Sequence, residues 1–404
     1  MSKACIFDAI RSPRGDGRPG GALYQVKPVQ LLARCLQALQ RRSGIDDFPL
    51  QVDDFIVGCN TPAADQGYNI ARAGLLHAGW RLARGGMQIN RFNTSSLEAI
   101  NLAAARIDAG YDDLIIAGGL ECMSRVPTWL NRGPMMNDPE TIVNSHYIPQ
   151  GVAADLVATT QGLSRSDLDH YALRSHQLAI AAQDANLFDA SLEPITDANG
   201  LPILDRDALP KPSLKADDLA DLPSRFSEMG LAGFDTMALH RFPLISRILH
   251  NHTIGNTSAP ADGAALCLLG SQERGSELGL KARARIRSVA MATVDATMLT
   301  GGETAARLAL QKAELAVEDI DLWEFNESFA APTICFQRGL ELAEDQFNVL
   351  GGSIALGEPL GAVGGMMLCH LLDQLEKRDQ TFGSLTIDAG SGLAMSTIIE
   401  RLEL

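Results

Sequence analysis

Two acids and two amides stand where side-chain chemistry is easiest to build, at turns next to apolar runs. Glu358 sits in Gly357-Glu358-Pro359, and Asp388 opens Asp388-Ala389-Gly390-Ser391-Gly392. Two carboxylates brought close together raise the pKa of one of them and form an acid/base pair. Asn93 lies within Asn90-Arg91-Phe92-Asn93-Thr94-Ser95-Ser96, Asn326 within Asn326-Glu327-Ser328-Phe329-Ala330, and Ser258 closes Gly255-Asn256-Thr257-Ser258. Each also has a plain structural explanation. Asn93 precedes a helical stretch and suits an N-cap. Glu358 stands before Pro359 and a Gly-rich helix start, where the helix dipole favours an acid. Asp388 suits an Asx-turn, Asn326 a buried turn after an apolar strand, and Ser258 a tight turn.

The remaining nucleophiles and bases are less suggestive. Seven cysteines, Cys122 among them, are scattered without CxxC spacing, which argues against a disulfide framework and against a metal site. They read as buried packing groups in a reducing compartment. His250 and His252 flank the turn before Ser258 and suit surface or packing roles.

The elements that must position these residues follow from periodicity. Ala4–Ala9, Phe55–Gly58, Met87–Ile89, Leu114–Ala117, Ala264–Leu269 and Ala284–Val289 read as strands. Val29–Arg41, Ile70–Ala78 and Thr304–Ala316 carry helical spacing, and a helix to Ala109 opens with the capping-box run Ser95-Ser96-Leu97-Glu98. Gly118-Gly119 is expected to end the Leu114 strand. Alternation of this kind implies a mostly parallel sheet covered on both faces. Residues 124–249, rich in Pro, Asp and Met, interrupt it as a surface excursion with a helix near Ser166–Ala182. The first-half pattern then recurs: Val317–Trp323 echoes Val52–Val57, and Asn348–Leu375 echoes Met87–Ala109.

Composition bounds the function. The chain has 404 residues, 46% apolar and 21% charged, enough for two similar units and an insertion. Its 49 acidic against 34 basic residues, a net charge of −15, exclude nucleic acid as a partner. A small anionic ligand needs only a local patch or helix N-termini. No run approaches the roughly 20 apolar residues of a membrane span, and the first eleven residues are strand-like, so a soluble cytoplasmic protein is expected.

Taken together, Arg11-Ser12-Pro13-Arg14-Gly15, Gly118–Ser124, Gly255–Ser258 with Asp262–Ala265, Asn326–Ala330 and the Gly351–Gly365 loop resemble the signatures of thiolases, in order and spacing, over residues 3 to 401. The resemblance implies an α/β thiolase fold: two similar five-stranded mixed-sheet halves sandwiched by helices. Residues 1–123 with 250–272 would form the N-terminal half, 273–404 the C-terminal half, and 124–249 an inserted loop domain over an acyl-CoA site. It implies a homodimer or dimer of dimers, coenzyme A as substrate or ligand, and no other cofactor or metal.

The family's acyl transfer uses a cysteine in N-R-x-C-x-S-G, a histidine in G-H-P, a cysteine in C-x-G-G-G and the asparagine of N-E-A-F. Here Asn93, Glu358 and Asp388 occupy the first three positions and Asn326 keeps the fourth. Ser258 matches the serine that contacts pantetheine. An amide at 93 cannot carry an acyl group. Two expectations follow: an acyl-CoA-binding protein without thiolytic activity, able to assemble with an active thiolase-like subunit, or an enzyme that turns Glu358 and Asp388 to hydration, retro-aldol cleavage or thioester hydrolysis. Cys122 is a weak substitute nucleophile.

Overall fold

A computed structural model describes residues 4–402; Met1–Lys3 and Glu403–Leu404, the ends of the two expected halves, lie outside them. The strands are β1 (Ala4–Arg11), β2 (Asp54–Gly58), β3 (Met87–Ile89), β4 (Leu114–Cys122), β5 (Ala261–Ser271), β6 (Ala284–Thr293), β7 (Leu322–Phe325), β8 (Phe382–Asp388) and β9 (Leu393–Arg401). The larger helices are α1 (Pro28–Ser43), α2 (Ile70–His77), α3 (Ser95–Asp108), α4 (Gln150–Thr160), α5 (Arg165–Asp184), α6 (Gly301–Ala313), α7 (Ala330–Gly339) and α8 (Val363–Lys377).

The halves repeat one topology. In the first, the order is β3-β2-β4-β5-β1, with β2 parallel to β3 and β4 and the remaining pairs antiparallel. In the second it is β7-β8-β9-β6, again parallel at β7-β8 and antiparallel after it. The expected fifth strand of the second half is reduced to a single bridge, Trp323 to Phe347. The sheets are therefore mixed rather than mostly parallel: β5 and β9 each run antiparallel to both of their neighbours. Among the described residues they are joined where Cys5 faces Arg285 and Ile6 faces Ala284.

Between the sheets, α3 and α8 pack together, and Leu97, Ile100, Leu368 and Leu372 share one buried core with Ile6, Ile56, Leu385 and Ile387. Core strands facing helices on both sides explain why these runs are continuously apolar.

Gly118 and Gly119 do not end β4, which runs on to Cys122. They are small because backbone approaches them: a Cβ at Gly119 would come within 2.0 Å of the Gly361 carbonyl oxygen. Buried Glu121 completes this join, accepting from Asn60 N–H at 2.8 Å and Gly361 N–H at 2.9 Å. The loop carrying Glu358 is thus sewn to the first half.

The segment between β4 and β5 is not merely superficial. Val152, Leu156 and Leu168 of α4 and α5 are buried in the same core as Ile334 and Phe336 of α7. A long insertion must bury its own apolar faces somewhere, and here it does so against the outer helices of the second half.

Candidate active site

Asn93 lies in the turn between β3 and α3. Hydroxyls tie this turn: Thr94 Oγ1 donates to the Arg91 carbonyl and Ser95 Oγ to that of Phe92, both at 2.5 Å, while Arg91 N–H donates to Ser95 Oγ at 2.8 Å. Phe92 takes φ +53°, a left-handed conformation held by these bonds. The expected capping box does not form, since Ser95 is spent on the turn and Glu98 pairs with Arg91 at 3.0 Å. Asn93 is not the N-cap either; Thr94 is. Instead the buried Asn93 Nδ2 donates across the cleft to Glu358 Oε1 at 3.2 Å and to the Asp388 carbonyl at 3.0 Å.

Glu358 is held from all sides. Its N–H donates to the Ala259 carbonyl at 2.9 Å, and Gly357 before it has φ +90°, with no room for a Cβ beside Leu209 and Ala261. Oε1 accepts from Asn326 Nδ2 at 2.6 Å, Ser328 Oγ at 2.8 Å and Asn93 Nδ2; Oε2 accepts from Ser258 Oγ at 2.7 Å. The helix-cap and surface roles open to it in the sequence are thereby excluded: Glu358 is only 3% exposed, and α8 begins after Ala362.

Asn326 follows β7, donates its N–H to the Thr386 carbonyl at 3.0 Å, and accepts from Ser353 Oγ on Oδ1 at 2.6 Å. Its amide orientation is fixed by these opposite partners. Ser328, two residues on, was not singled out in the sequence. A hydroxyl in the turn two residues after the Asn326 amide is the available signal, and it joins Asn326, Asn93 and Glu358.

Asp388 ends β8. Its carboxyl makes no Asx-turn of its own. Burial pushes its pKa up to about 7, partly offset by the N–H groups of Gly302 and Gly301 at the start of α6. Oδ1 has no hydrogen-bond partner. Asn93 therefore links the two acids through the Asp388 main chain, while the Asp388 side chain turns toward α6. No acid/base pair of the expected kind is assembled: both Glu358 oxygens are taken by donors, and the Asp388 carboxyl faces the N–H groups at the start of α6.

The cleft opens into a cavity of about 400 Å3 lined by Asn93, Phe92, Met135, Met136, Tyr147 and Ser391, with Gln150 at its junction with a smaller recess beside Asp388, Asn326 and Ser328. Its apolar wall comes from the insertion between β4 and β5.

The histidines do not reach the cleft. His250 lies between Asp155 Oδ2, at 2.8 Å, and Asp235 Oδ2, at 3.0 Å; His252 Nδ1 meets Asp155 Oδ1 at 2.8 Å, and its Nε2 accepts from Ala331 N–H. They anchor α4, and with it Gln150, to the segment leading to Ser258. Cys122 is buried, and burial, followed by the charge of Asp262, raises its thiol pKa well above the usual range. That is the opposite of an activated nucleophile. All seven cysteines are free thiols. Among the described residues there is no cluster able to hold a metal ion, and no helix is long and apolar enough to cross a membrane.

Residues 4–233 match the family model for the thiolase N-terminal domain and residues 280–401 that for the thiolase C-terminal domain. The chain belongs to the thiolase family. It is 35% identical to a 3-ketoacyl-CoA thiolase of Serratia proteamaculans, with both chains covered in full, and 35% identical to one of Shewanella loihica over 99% of this chain and 100% of that one. A crystal structure of the Bacillus anthracis acetyl-CoA acetyltransferase superposes with a TM-score of 0.85 at 31% identity, covering 100% of this chain and 99% of the other. The repeat of two mixed sheets around α3 and α8 is thus the thiolase fold. The matched models leave residues 234–279 between them.

Proposed function

We propose that this thiolase-family protein binds acyl-CoA thioesters in the cleft beneath α4 and does not run the thiolytic cycle. One observation carries the reading: the position that would hold an acyl group is an amide, and its nitrogen is committed to Glu358 and the Asp388 carbonyl. An amide nitrogen is no nucleophile toward a thioester at neutral pH. The names of the relatives support the acyl-CoA part: 3-ketoacyl-CoA thiolases and an acetyl-CoA acetyltransferase act on such thioesters. The absence of thiolysis is our inference from Asn93.

A saturated Glu358 favours the binding reading over the acid/base enzyme. Four donors hold its carboxylate, so it serves as the hub that fixes Asn93, Asn326, Ser328 and Ser258. The enzyme reading retains one foothold, the raised pKa and unpartnered oxygen of Asp388, which suit a single proton carrier near neutral pH. Ser258, spent on Glu358, could contact a pantetheine arm only through its lone pairs or by exchanging that bond.

We also propose a homodimer or dimer of dimers, with β3 as the pairing edge, since it ends the sheet and exposed edges tend to be covered. Assembly with an active thiolase-like subunit fits a chain that has kept the fold, and a cytoplasmic location fits its free thiols. Titration with coenzyme A and short acyl-CoAs, read as a thermal shift, tests the central claim: saturable stabilisation is expected, and none with any thioester would refute it. Light scattering that shows only a 43.2 kDa species would remove the dimer.

A further inference from the structure

Asp388 stands between two spaces. Its main-chain carbonyl accepts from Asn93 Nδ2 in the cleft, whereas its carboxyl lies beside the N–H groups of Gly302 and Gly301 that open α6. A second cavity, of about 360 Å3, lies there between α6 and α7. Thr300 and Glu303 at the start of α6 form one wall, Pro332, Cys335 and Phe336 of α7 another, and Asp388 lines it from β8. Asp388 and Pro332 also border the small recess at the cleft, so they form the partition between the two.

Two observations place the carboxyl on the α6–α7 side of that partition. A Cβ at Gly302 would come within 3.3 Å of Asp388 Oδ1, which sets this oxygen against the first turn of α6. The Cys335 thiol on the opposite wall is raised to about 11 chiefly by burial, and the charges of Arg338 and Asp388 also act on it. Asp388 is 8% exposed, and Oδ1 has no partner. The other acid of the cavity, Glu303, is already paired with Arg307 at 2.8 Å.

The cavity therefore holds one buried, uncommitted carboxyl among apolar side chains. An ionised group so placed carries a desolvation cost until donors or an opposite charge reach it. An alcohol brings one donor and no charge, and an anion adds repulsion. A primary ammonium brings three N–H donors and a positive charge to a group that only accepts. The volume lies within the roughly 300–1,000 Å3 of small-molecule sites. We propose that this cavity is a second ligand site, separate from the acyl-CoA cleft, for a small molecule with a primary ammonium on an apolar body. The ammonium meets Asp388, and the body lies against Pro332 and Phe336. This site does not depend on the acyl-CoA reading above.

The test uses benzylamine, benzyl alcohol and benzoate, which share one aromatic body and differ in the polar group. Each is titrated into the purified full chain at pH 8, at an ionic strength fixed with sodium chloride, and binding is followed by ligand-observed NMR and thermal shift. At that pH the amine is protonated and Asp388, whose pKa is about 7, is largely ionised. Benzylamine is expected to bind saturably and at least about tenfold more tightly than the alcohol, the scale of one charge-assisted hydrogen bond. Benzoate should not bind. In Asp388→Asn the preference for amine over alcohol should fall toward one. Cys335→Phe, which fills the cavity from α7, should abolish benzylamine binding and keeps the test open if Asp388→Asn fails to fold. The site is overturned if benzylamine does not saturate, or if the alcohol or benzoate binds as tightly. Amine binding unchanged in either variant also overturns it, by placing the amine elsewhere on a chain of net charge −15.

Discussion

Glu358 and Asp388 reach the same cleft from two turns of the second half and meet opposite surroundings. Glu358 accepts four side-chain hydrogen bonds, from Asn93, Asn326, Ser328 and Ser258. Asp388 is just as buried, receives only help from the N–H groups of Gly302 and Gly301, and keeps one oxygen without a partner. Burial penalises a charge unless donors replace the lost water. One acid is therefore a fixture of the architecture, while the other holds unspent chemistry. Identical residue classes at equivalent-looking Gly-rich turns do not reveal this, because the donors come from positions 30 to 265 residues away.

The comparison predicts opposite signs for neutralising the two acids. Glu358→Ala strands four donors and should cost about 3–5 kcal/mol in urea unfolding, with Glu358→Gln costing about 1–2 kcal/mol because an amide oxygen still accepts. Asp388→Asn removes a buried charge and should raise stability at pH 8 by about 2–4 kcal/mol, the scale of its pKa displacement. The sign follows from linkage. A carboxyl whose pKa rises on folding, here to about 7, destabilises progressively as pH climbs from about 4 to 7. The gain should therefore vanish near pH 4. Destabilisation by Asp388→Asn across that whole range would mean that its carboxylate is as well satisfied as that of Glu358.

Asp155 sharpens the contrast by showing a third way to bury an acid, with a cation rather than amides. His250, held by Asp155 first and Asp235 second, has its pKa raised to about 9. With both ring nitrogens on carboxylates it must be the imidazolium, whereas His252 Nε2 accepts from Ala331 N–H. A raised histidine contributes stability that is complete below about pH 6.5 and lost as pH rises through about 9. His250→Gln should cost about 1–2 kcal/mol at pH 6, and the gap from wild type should close between pH 7 and 10. A pH-independent gap would assign His250 a packing role only.

Much of this was legible in the sequence and some was not. Strand and helix positions followed from periodicity, and the family from five motifs in order. The capping box at Ser95 failed because Ser95 Oγ is claimed by its own turn, a competition that spacing alone does not show. Gly118-Gly119 looked like a stop because close backbone approach and chain reversal both call for glycine. The fifth strand of the second half shrank to a bridge at Phe347, although the Asn348–Leu375 stretch echoes its counterpart. The site residues did converge, since Asn93, Asn326, Glu358 and Ser258 share one network. Missing were Ser328 and the direction of the Asp388 side chain, both set by contacts between distant segments.

The smallest expected effect is none at all, and it bears on the turn that joins the two acids. Purified protein should cleave acetoacetyl-CoA with free coenzyme A no faster than the buffer, and a thiol reagent should change nothing. Thiolysis needs a thiolate to take the acyl group. Asn93 has none, and the amide is held between Glu358 and the Asp388 carbonyl. Of the seven thiols, six are buried. The half-buried Cys335 has its pKa pushed up to about 11, chiefly by burial, and Cys122 is higher than its usual range for the same first reason. Asn93→Cys provides the matched control: it restores a sulfur at the start of α3, where the helix N-terminus favours the thiolate, but places it beside the Glu358 carboxylate, which opposes it. A slow acylation of that variant by acetyl-CoA, seen by mass spectrometry and absent in wild type, would show that Asn93 is the missing piece. Wild-type turnover abolished by the thiol reagent would instead mean that one of the seven cysteines moves into the cleft, and the contrast between a fixed Glu358 and an open Asp388 would then describe only a resting state.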